Sequence, residues 1–429
     1  MKQVNIVTLG CSKNQVDAEI LTKQLQLNGY QVSFDSGVNK EITIINTCGF
    51  ILDAKNESVE TVLAAIEAKN EGEISQIYVM GCLTEKYSKE LEAELPEVDG
   101  FFGKFDTKKI ISRLRLKYHD NEEYQRVLAT PSHFAYLKIS EGCDRTCAFC
   151  SIPQFTGKHI SRSVSSLIDE AVSLAGQGVK ELIIIAQDIS YYGYDIDGKS
   201  HLSELLKGLV GIDGIEWIRL HYAYPNNFPL EVLDLMSVND KICKYLDIPL
   251  QHASTSVLKK MRRGIDLEQT KLLLEKIRAK VPNVTIRTTL MVGHPGEGEE
   301  EFAELLSFVQ EQEFDRVGVF TYSHEEDTYG YVHYKDEVSV SEKVERKEAI
   351  MELQSGISYR KNQAKVGSVL KVLIDRDEDG LYIGRTEGDS PEVDGEVLIV
   401  KDKSLTLGAF YDVKIVDAEE FDLFGAISS

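Results

Sequence analysis

The chain has 429 residues, which at about 150 residues per domain predicts roughly three domains, each large enough to bury a core without disulfides. Seventy acids against 48 bases give a net charge of −22, which argues against non-specific binding to nucleic acid or anionic membranes and favours basic partners. No apolar run approaches the ~20 residues of a membrane span, and the expected location is the cytoplasm.

In chain order, Val4–Leu9 is a short apolar run and Asp17–Leu27 has helical spacing. Val7–Cys11 loosely resembles a lipoprotein cleavage site, but the preceding apolar stretch is too short and is broken by Asn5. A strand pattern over Glu41–Asn46 precedes a helix over Ser58–Lys69. Another strand at Gln76–Met80 precedes a helix over Tyr87–Glu94. This βαβαβ order predicts a doubly wound parallel sheet, assigned to a first domain over 1–125. The polar stretch His119–Ser132 marks its end.

Six candidate strands follow: Phe134–Ser140, Leu182–Ala186, Trp217–His221, Tyr245–Ile248, Thr285–Met291 and Arg316–Phe320. Helical patterns separate them, as at Ser166–Gln177, Leu267–Lys280 and Glu299–Glu311. Six βα units over 132–362 fit a partial (β/α)6 barrel of the TIM type better than a flat sheet, though periodicity alone leaves both open. A helix opens at Ser339, with Glu342 at capping-box spacing, and runs to about Lys365. Over 366–429 short β-rich runs divided by Gly380, Gly388, Gly395 and Gly408 predict a small antiparallel β-barrel.

Seven cysteines in a chain of this size suggest metal or redox chemistry. Cys143, Cys147 and Cys150 lie directly after the first strand of the middle domain. Three thiolates can ligate three irons of a four-iron cluster and leave the fourth open to a substrate or cofactor. The alternative is structural zinc, which wants a closed set of four ligands; His159 is the nearest candidate for the fourth. Cys11, Cys48 and Cys82 each fall just past a predicted strand. Parallel strands share one C-terminal edge, so these three are expected to converge into a second three-thiolate site. The alternative is three buried core thiols. Cys243 has no such partners and reads as packing.

On these residues the chain resembles the radical S-adenosylmethionine (SAM) enzymes, and among them the methylthiotransferases. The resemblance rests on Gly10-Cys11-Ser12-Lys13-Asn14, Asn46-Thr47-Cys48, Gly81-Cys82 and the run Ser140–Pro153. Further matches are Asp247–His252, Met261-Arg262-Arg263-Gly264 and Val292–Glu297, and the tail resembles a TRAM domain. His294, Gly298 and Asp327 depart from the usual phenylalanine, threonine and glycine. The resemblance implies two 4Fe-4S clusters and SAM as cofactors. The Cys143/Cys147/Cys150 cluster would bind SAM and cleave it to a 5′-deoxyadenosyl radical. The Cys11/Cys48/Cys82 cluster would supply or hold sulfur, and a second SAM would give the methyl group.

Polar groups and glycines at barrel strand ends are expected to hold SAM: Gln187, Gln251 and Gly293. Arg287 suits the SAM carboxylate or, equally, a structural ion pair. Phe149 suits the adenine or a core. Tyr322–Glu325 is expected to line the substrate cavity, with His324 not a metal ligand.

The family divides between enzymes that modify a tRNA adenosine and enzymes that methylthiolate an aspartate β-carbon in small-subunit ribosomal protein twelve. From Val366 to Ser429 there are 15 acids and 6 bases, a net charge of −9. Such a surface repels phosphate and attracts a basic ribosomal protein, although a negative tail is also simply a soluble surface. Ala186-Gln187-Asp188, Tyr192-Gly193 and Asp422–Gly425 also resemble the ribosomal-protein subgroup. That substrate is the expectation, with an electron donor and a sulfur source as further partners and no membrane. Direct nucleic-acid binding is not favoured by charge. The tRNA alternative needs a basic surface elsewhere, as around Lys259, Lys260, Arg262 and Arg263. A third alternative is a non-catalytic, metal-stabilised ribosome- or RNA-binding protein.

Overall fold

The computed structural model describes residues 2–36 and 41–428. The chain divides into two compact units. The first runs to Thr130 and adds Glu141–Arg145 and Cys150–Ile160; the second comprises Pro131–Ser140, Thr146–Phe149 and Ser161 onward.

In the first unit a five-stranded parallel sheet has the order β2-β1-β3-β4-β5. Its strands are β1 (Gln3–Thr8), β2 (Gln31–Phe34), β3 (Ile42–Thr47), β4 (Gln76–Gly81) and β5 (Gly100–Phe101). Helices α1 (Ser12–Leu27), α2 (Leu52–Asn70), α3 (Cys82–Glu94) and α4 (Thr107–Arg113) connect and follow them. β3 is buried along its whole length, as a central parallel strand covered on both faces must be. Side chains alternate across it. Ile42 and Ile44 join Leu21 and Leu25 of α1 and Ile110 of α4. Ile45 faces the other way, onto Val62 and Ile66 of α2. This period of two makes the sheet doubly wound, as the strand–helix alternation predicts. The edge strands β2 and β5 are not legible in the sequence: β2 is short and nowhere buried, and β5 has two residues.

The second unit holds a six-stranded parallel sheet in sequential order. It comprises β6 (Phe134–Lys138), β9 (Glu181–Ile185), β10 (Trp217–Leu220), β11 (Ile242–Asp247), β12 (Thr285–Val292) and β13 (Arg316–Thr321). All six predicted strands are present, with bounds shifted by up to three residues. Between β6 and β9 lie the short β7 (Ser140–Glu141) and β8 (Ile160–Ser161), which pair with each other at the base of the loop carrying Cys143, Cys147 and Cys150. The long helix Val340–Gln363 starts at Ser339, whose hydroxyl accepts from the Glu342 amide at 3.2 Å. The Glu342 carboxylate pairs instead with Arg346, so only half of the expected capping box forms.

Five strands, β14 (Val369–Glu378), β15 (Leu381–Thr386), β16 (Val397–Val400), β17 (Phe410–Ala418) and β18 (Leu423–Ile427), close a barrel in the order β14-β15-β16-β18-β17. It is antiparallel except for the β16–β18 pair, which is parallel. β18 escapes the sequence pattern because Gly425 interrupts it. The loop between β15 and β16 packs on the parallel sheet. Asp389 pairs with Arg316 at 2.5 Å, Asp394 accepts from Tyr245 at 2.7 Å, and Ser390 meets His221 at 2.9 Å. Beneath it the fully buried Glu181 accepts from Arg219 at 2.6 Å and from Arg385 of the barrel at 2.8 Å.

Candidate active site

Cys11, Cys48 and Cys82 follow β1, β3 and β4, which are neighbours in the sheet. Parallel register sets Thr8 beside Asn46 and Thr47 beside Gly81, so the three chains leave the sheet side by side at strand spacings of about 4.8 Å. Gly10, at φ +88°, makes the approach possible: a Cβ there would stand 2.7 Å from Cys48 Cβ and 2.9 Å from its Sγ. Asn14, 1% exposed, ties the edge together. Its Nδ2 donates to Leu9 O at 3.0 Å and Thr47 O at 3.1 Å, and its Oδ1 accepts from the Cys82 thiol at 3.7 Å. Ser58 accepts from the Cys48 amide and donates to its carbonyl, both at 3.0 Å.

Cys48 and Cys82 sense the charge of neighbouring thiols. Burial pushes Cys82 up to about 12, with Cys11 and Cys48 adding to the rise. Burial also raises Cys48. At Cys11 burial is outweighed by Lys13, Lys104 and local amides, so its pKa falls below the ordinary thiol value. Among the described residues no group of three His, Cys, Asp or Glu side chains is gathered to hold a single metal ion. Thiolates around one tetrahedral zinc stand roughly 3.8 Å apart, whereas the ligands of a four-iron cluster bind separate irons. A set of three soft thiolates suits such a cluster.

Sequence reasoning missed Lys104. Its ammonium, 3% exposed, lies 3.5 Å from both Asp17 and Glu141. Burial opposes its charge, but the two carboxylates and the thiols overcome this and hold its pKa above the usual lysine range.

Cys143 and Cys150 belong to the first unit and Cys147 to the second. The Cys143 amide donates to Gly157 O at 3.2 Å. Buried His159 has its amide on Asp144 Oδ1 at 3.0 Å. Cys147 has two polar neighbours: Arg263 Nη1 donates to its Sγ at 3.3 Å and the Tyr224 hydroxyl lies at 3.6 Å. Arg263 also donates to Pro249 O at 2.5 Å and stacks over the Tyr224 ring at 4.1 Å. It is 4% exposed and therefore cannot serve the basic surface suggested for an RNA alternative. Lys259, Lys260 and Arg262 are exposed.

Gln187, Gln251 and Gly293 all lie past the C-terminal ends of β9, β11 and β12. Gln251 adopts φ +76° and bridges to β12, its amide on Thr289 O at 2.8 Å. Non-glycine residues held at positive φ concentrate at functional sites. The Gly293 amide donates to Glu297 at 3.0 Å, and Glu297 in turn holds His252 at 3.2 Å and Arg346 at 2.6 Å. Phe149 packs edge-on to His294, which also meets Tyr322 and Tyr334. This aromatic surround explains why phenylalanine suits position 294. The Tyr322 hydroxyl bonds His324 at 2.9 Å.

Arg287 lies six residues before Gly293, about 20 Å along an extended strand. It occupies the ion-pair alternative, 3.3 Å from both Asp247 and Asp394. Cys243, fully buried, packs with Trp217, Tyr245, Leu373 and Phe410. No helix among the described residues is long and apolar enough to cross a membrane.

Three family models match: Uncharacterized protein family UPF0004 over residues 3–103, the Radical SAM superfamily over 137–309, and the TRAM domain over 366–427. The ribosomal protein uS12 methylthiotransferase RimO of Cytophaga hutchinsonii is 53% identical over 427 residues, covering 99% of this chain and 98% of that protein. Its Bacteroides thetaiotaomicron counterpart is 50% identical over 428 residues, with 99% and 98% covered. Among solved structures, the radical SAM methyltransferase TsrM from Kitasatospora setae, with cobalamin and a 4Fe-4S cluster bound, aligns with a TM-score of 0.55 at 14% identity. The alignment covers 75% of this chain and 72% of that one, a likeness of fold alone.

Proposed function

The chain belongs to the ribosomal protein uS12 methylthiotransferase RimO family, and on that premise we propose that it replaces a hydrogen on the β-carbon of a uS12 aspartate with a methylthio group. The observation that carries the reading is the convergence of Cys11, Cys48 and Cys82 at three adjacent strand ends, in a chain that carries a second set at Cys143, Cys147 and Cys150. When bound, an iron–sulfur cluster on the second set supplies the electron that cleaves SAM, and one on the first set holds sulfur for transfer.

The chain's own residues position these groups. Asn14 ties together the three strand ends of the first set, and Arg263 orients the Cys147 sulfur. Gln187, Gln251 and Gly293, at the C-terminal strand ends where such folds bind ligands, hold SAM, with Phe149 against the adenine. Arg287 braces the barrel loop. Sulfur and electrons come from outside the chain, so a sulfur source and a reductant are required partners. Cysteines that ligate iron suit the cytoplasm, where thiols are kept reduced.

The tail's charge supports a basic protein substrate only in part. Asp389 and Asp394 are consumed by Arg316 and Arg287, and Asp377 and Glu378 pair with Lys401 and Arg376, but Asp379, Asp412, Glu419 and Glu420 remain exposed. Anaerobic reconstitution tests the reading. We expect ~8 irons per chain, four to each cluster, reductive release of 5′-deoxyadenosine from SAM, and a methylthio mass gain on uS12. A mass gain on tRNA alone contradicts the substrate; bound zinc without SAM cleavage contradicts the enzyme.

A further inference from the structure

Lys104 lies far in sequence from every cysteine, yet the fold is arranged to place it. It sits on the strap that leaves β5, and two residues of the helix that begins at Cys82 pin that strap. The Thr84 hydroxyl donates to Phe102 O at 2.5 Å, and the Lys104 amide donates to Glu85 Oε2 at 2.9 Å. A Cβ at Gly103 would collide with Glu85 Oε2, so a side chain there would push that carboxylate off the Lys104 amide.

The ammonium this strap delivers is buried among negative groups. Asp17, on the helix that follows Cys11, and Glu141, two residues before Cys143, each stand 3.5 Å from it. Lys13 also acts on Cys11, and Glu57 acts on Cys48. Removing Lys104 would leave two carboxylates beside the cysteines with one fewer positive charge, in a largely buried setting where water screens weakly.

We propose that Lys104 is a positioning residue of the Cys11/Cys48/Cys82 centre, its buried charge setting how readily that centre is reduced and its contact with Glu141 anchoring the start of the loop that carries Cys143. The proposal rests on the two-cluster reading above and extends it. Reduction adds a negative charge to a cluster, so a fixed cation nearby favours the reduced form and fixed anions oppose it. Lys104 and Asp17 therefore act in opposite directions on one potential.

The test uses the full-length chain carrying Cys143→Ala, Cys147→Ala and Cys150→Ala, so that only the first site loads, reconstituted anaerobically and titrated electrochemically with spectroscopic detection. Against this background Lys104→Met should lower the reduced-to-oxidised ratio at fixed potential at least tenfold, equivalent to 59 mV for one electron. Lys104→Arg should stay within twofold, and Asp17→Asn should shift the ratio the other way. A fully loaded Lys104→Met variant within twofold of its parent overturns the proposal, as does a shift of Asp17→Asn in the same direction as Lys104→Met. If Lys104→Met fails to retain iron, Asp17→Asn and Glu141→Gln decide: a raised ratio supports the assignment and an unchanged one defeats it. A parent that loads no iron at all refutes the two-cluster reading itself, an outcome separate from a loaded centre indifferent to Lys104.

Discussion

Arg263 donates to the Cys147 sulfur at 3.3 Å while its second terminal nitrogen is held by Pro249 O at 2.5 Å. One guanidinium thus joins a cluster-ligand candidate to the turn after β11, and a planar fork is what makes both bonds possible at once.

Replacing that fork by a single ammonium should break the arrangement. Arg263→Lys is expected to lower reductive SAM cleavage at least tenfold, about 1.4 kcal/mol in barrier, while leaving the iron on Cys11, Cys48 and Cys82 in place. Anaerobic 5′-deoxyadenosine release together with iron per chain measures both quantities.

The Glu181 carboxylate accepts from Arg219 at 2.6 Å and Arg385 at 2.8 Å, wholly out of solvent. Removing one member of a buried charge network costs about 3–5 kcal/mol because the partners stay buried. Glu181→Gln should therefore lower the denaturation midpoint of the second unit markedly, with a smaller loss for the exposed pair Arg360–Glu313 when Glu313 is changed to Gln. Urea unfolding followed by Trp217 fluorescence reports it, since Trp217 lies in β10 beside Arg219.

Much of this was legible in the sequence, for physical reasons. The buried strands are marked by short apolar runs, and cysteines one to three residues after β1, β3 and β4 are enough to bring Cys11, Cys48 and Cys82 to one edge. The supporting residues were not legible. Glu181 meets Arg385 across 204 positions, and Lys104 reaches its place through a turn on Glu85; neither carries a local signature. Arg263 stands in a basic run that reads equally as a solvated face, and only its burial against Tyr224 separates it from Arg262. Arg287 fits two roles in the sequence alone, because its partner Asp394 comes from the distant β15–β16 loop. The same loop sharpens the charge argument, because part of the tail's acidity neutralises arginines of its own chain.

His294 predicts a pH dependence. Burial lowers its pKa from 6.5 to about 4, aided by His252 and Lys260 and opposed by Glu297 and the bond to Pro295 O. The folded ring stays neutral down to about pH 4, whereas the unfolded chain binds the proton near 6.5. Its contribution is thus full above pH 6.5 and is lost as pH falls toward 4, by about 1.4 kcal/mol for each unit of depression. His294→Phe should lack this loss, so the difference in unfolding midpoint between variant and parent should widen in the variant's favour on acidification.

The central claim is that the chain carries two centres with different work, cleavage of SAM and delivery of sulfur to uS12. Cys48→Ala tests it most directly, with 5′-deoxyadenosine release and the intact mass of uS12 measured in the same anaerobic reaction. We predict that SAM cleavage persists while the methylthio mass gain on uS12 disappears. Retention of the mass gain, or loss of cleavage together with it, would contradict the division of labour.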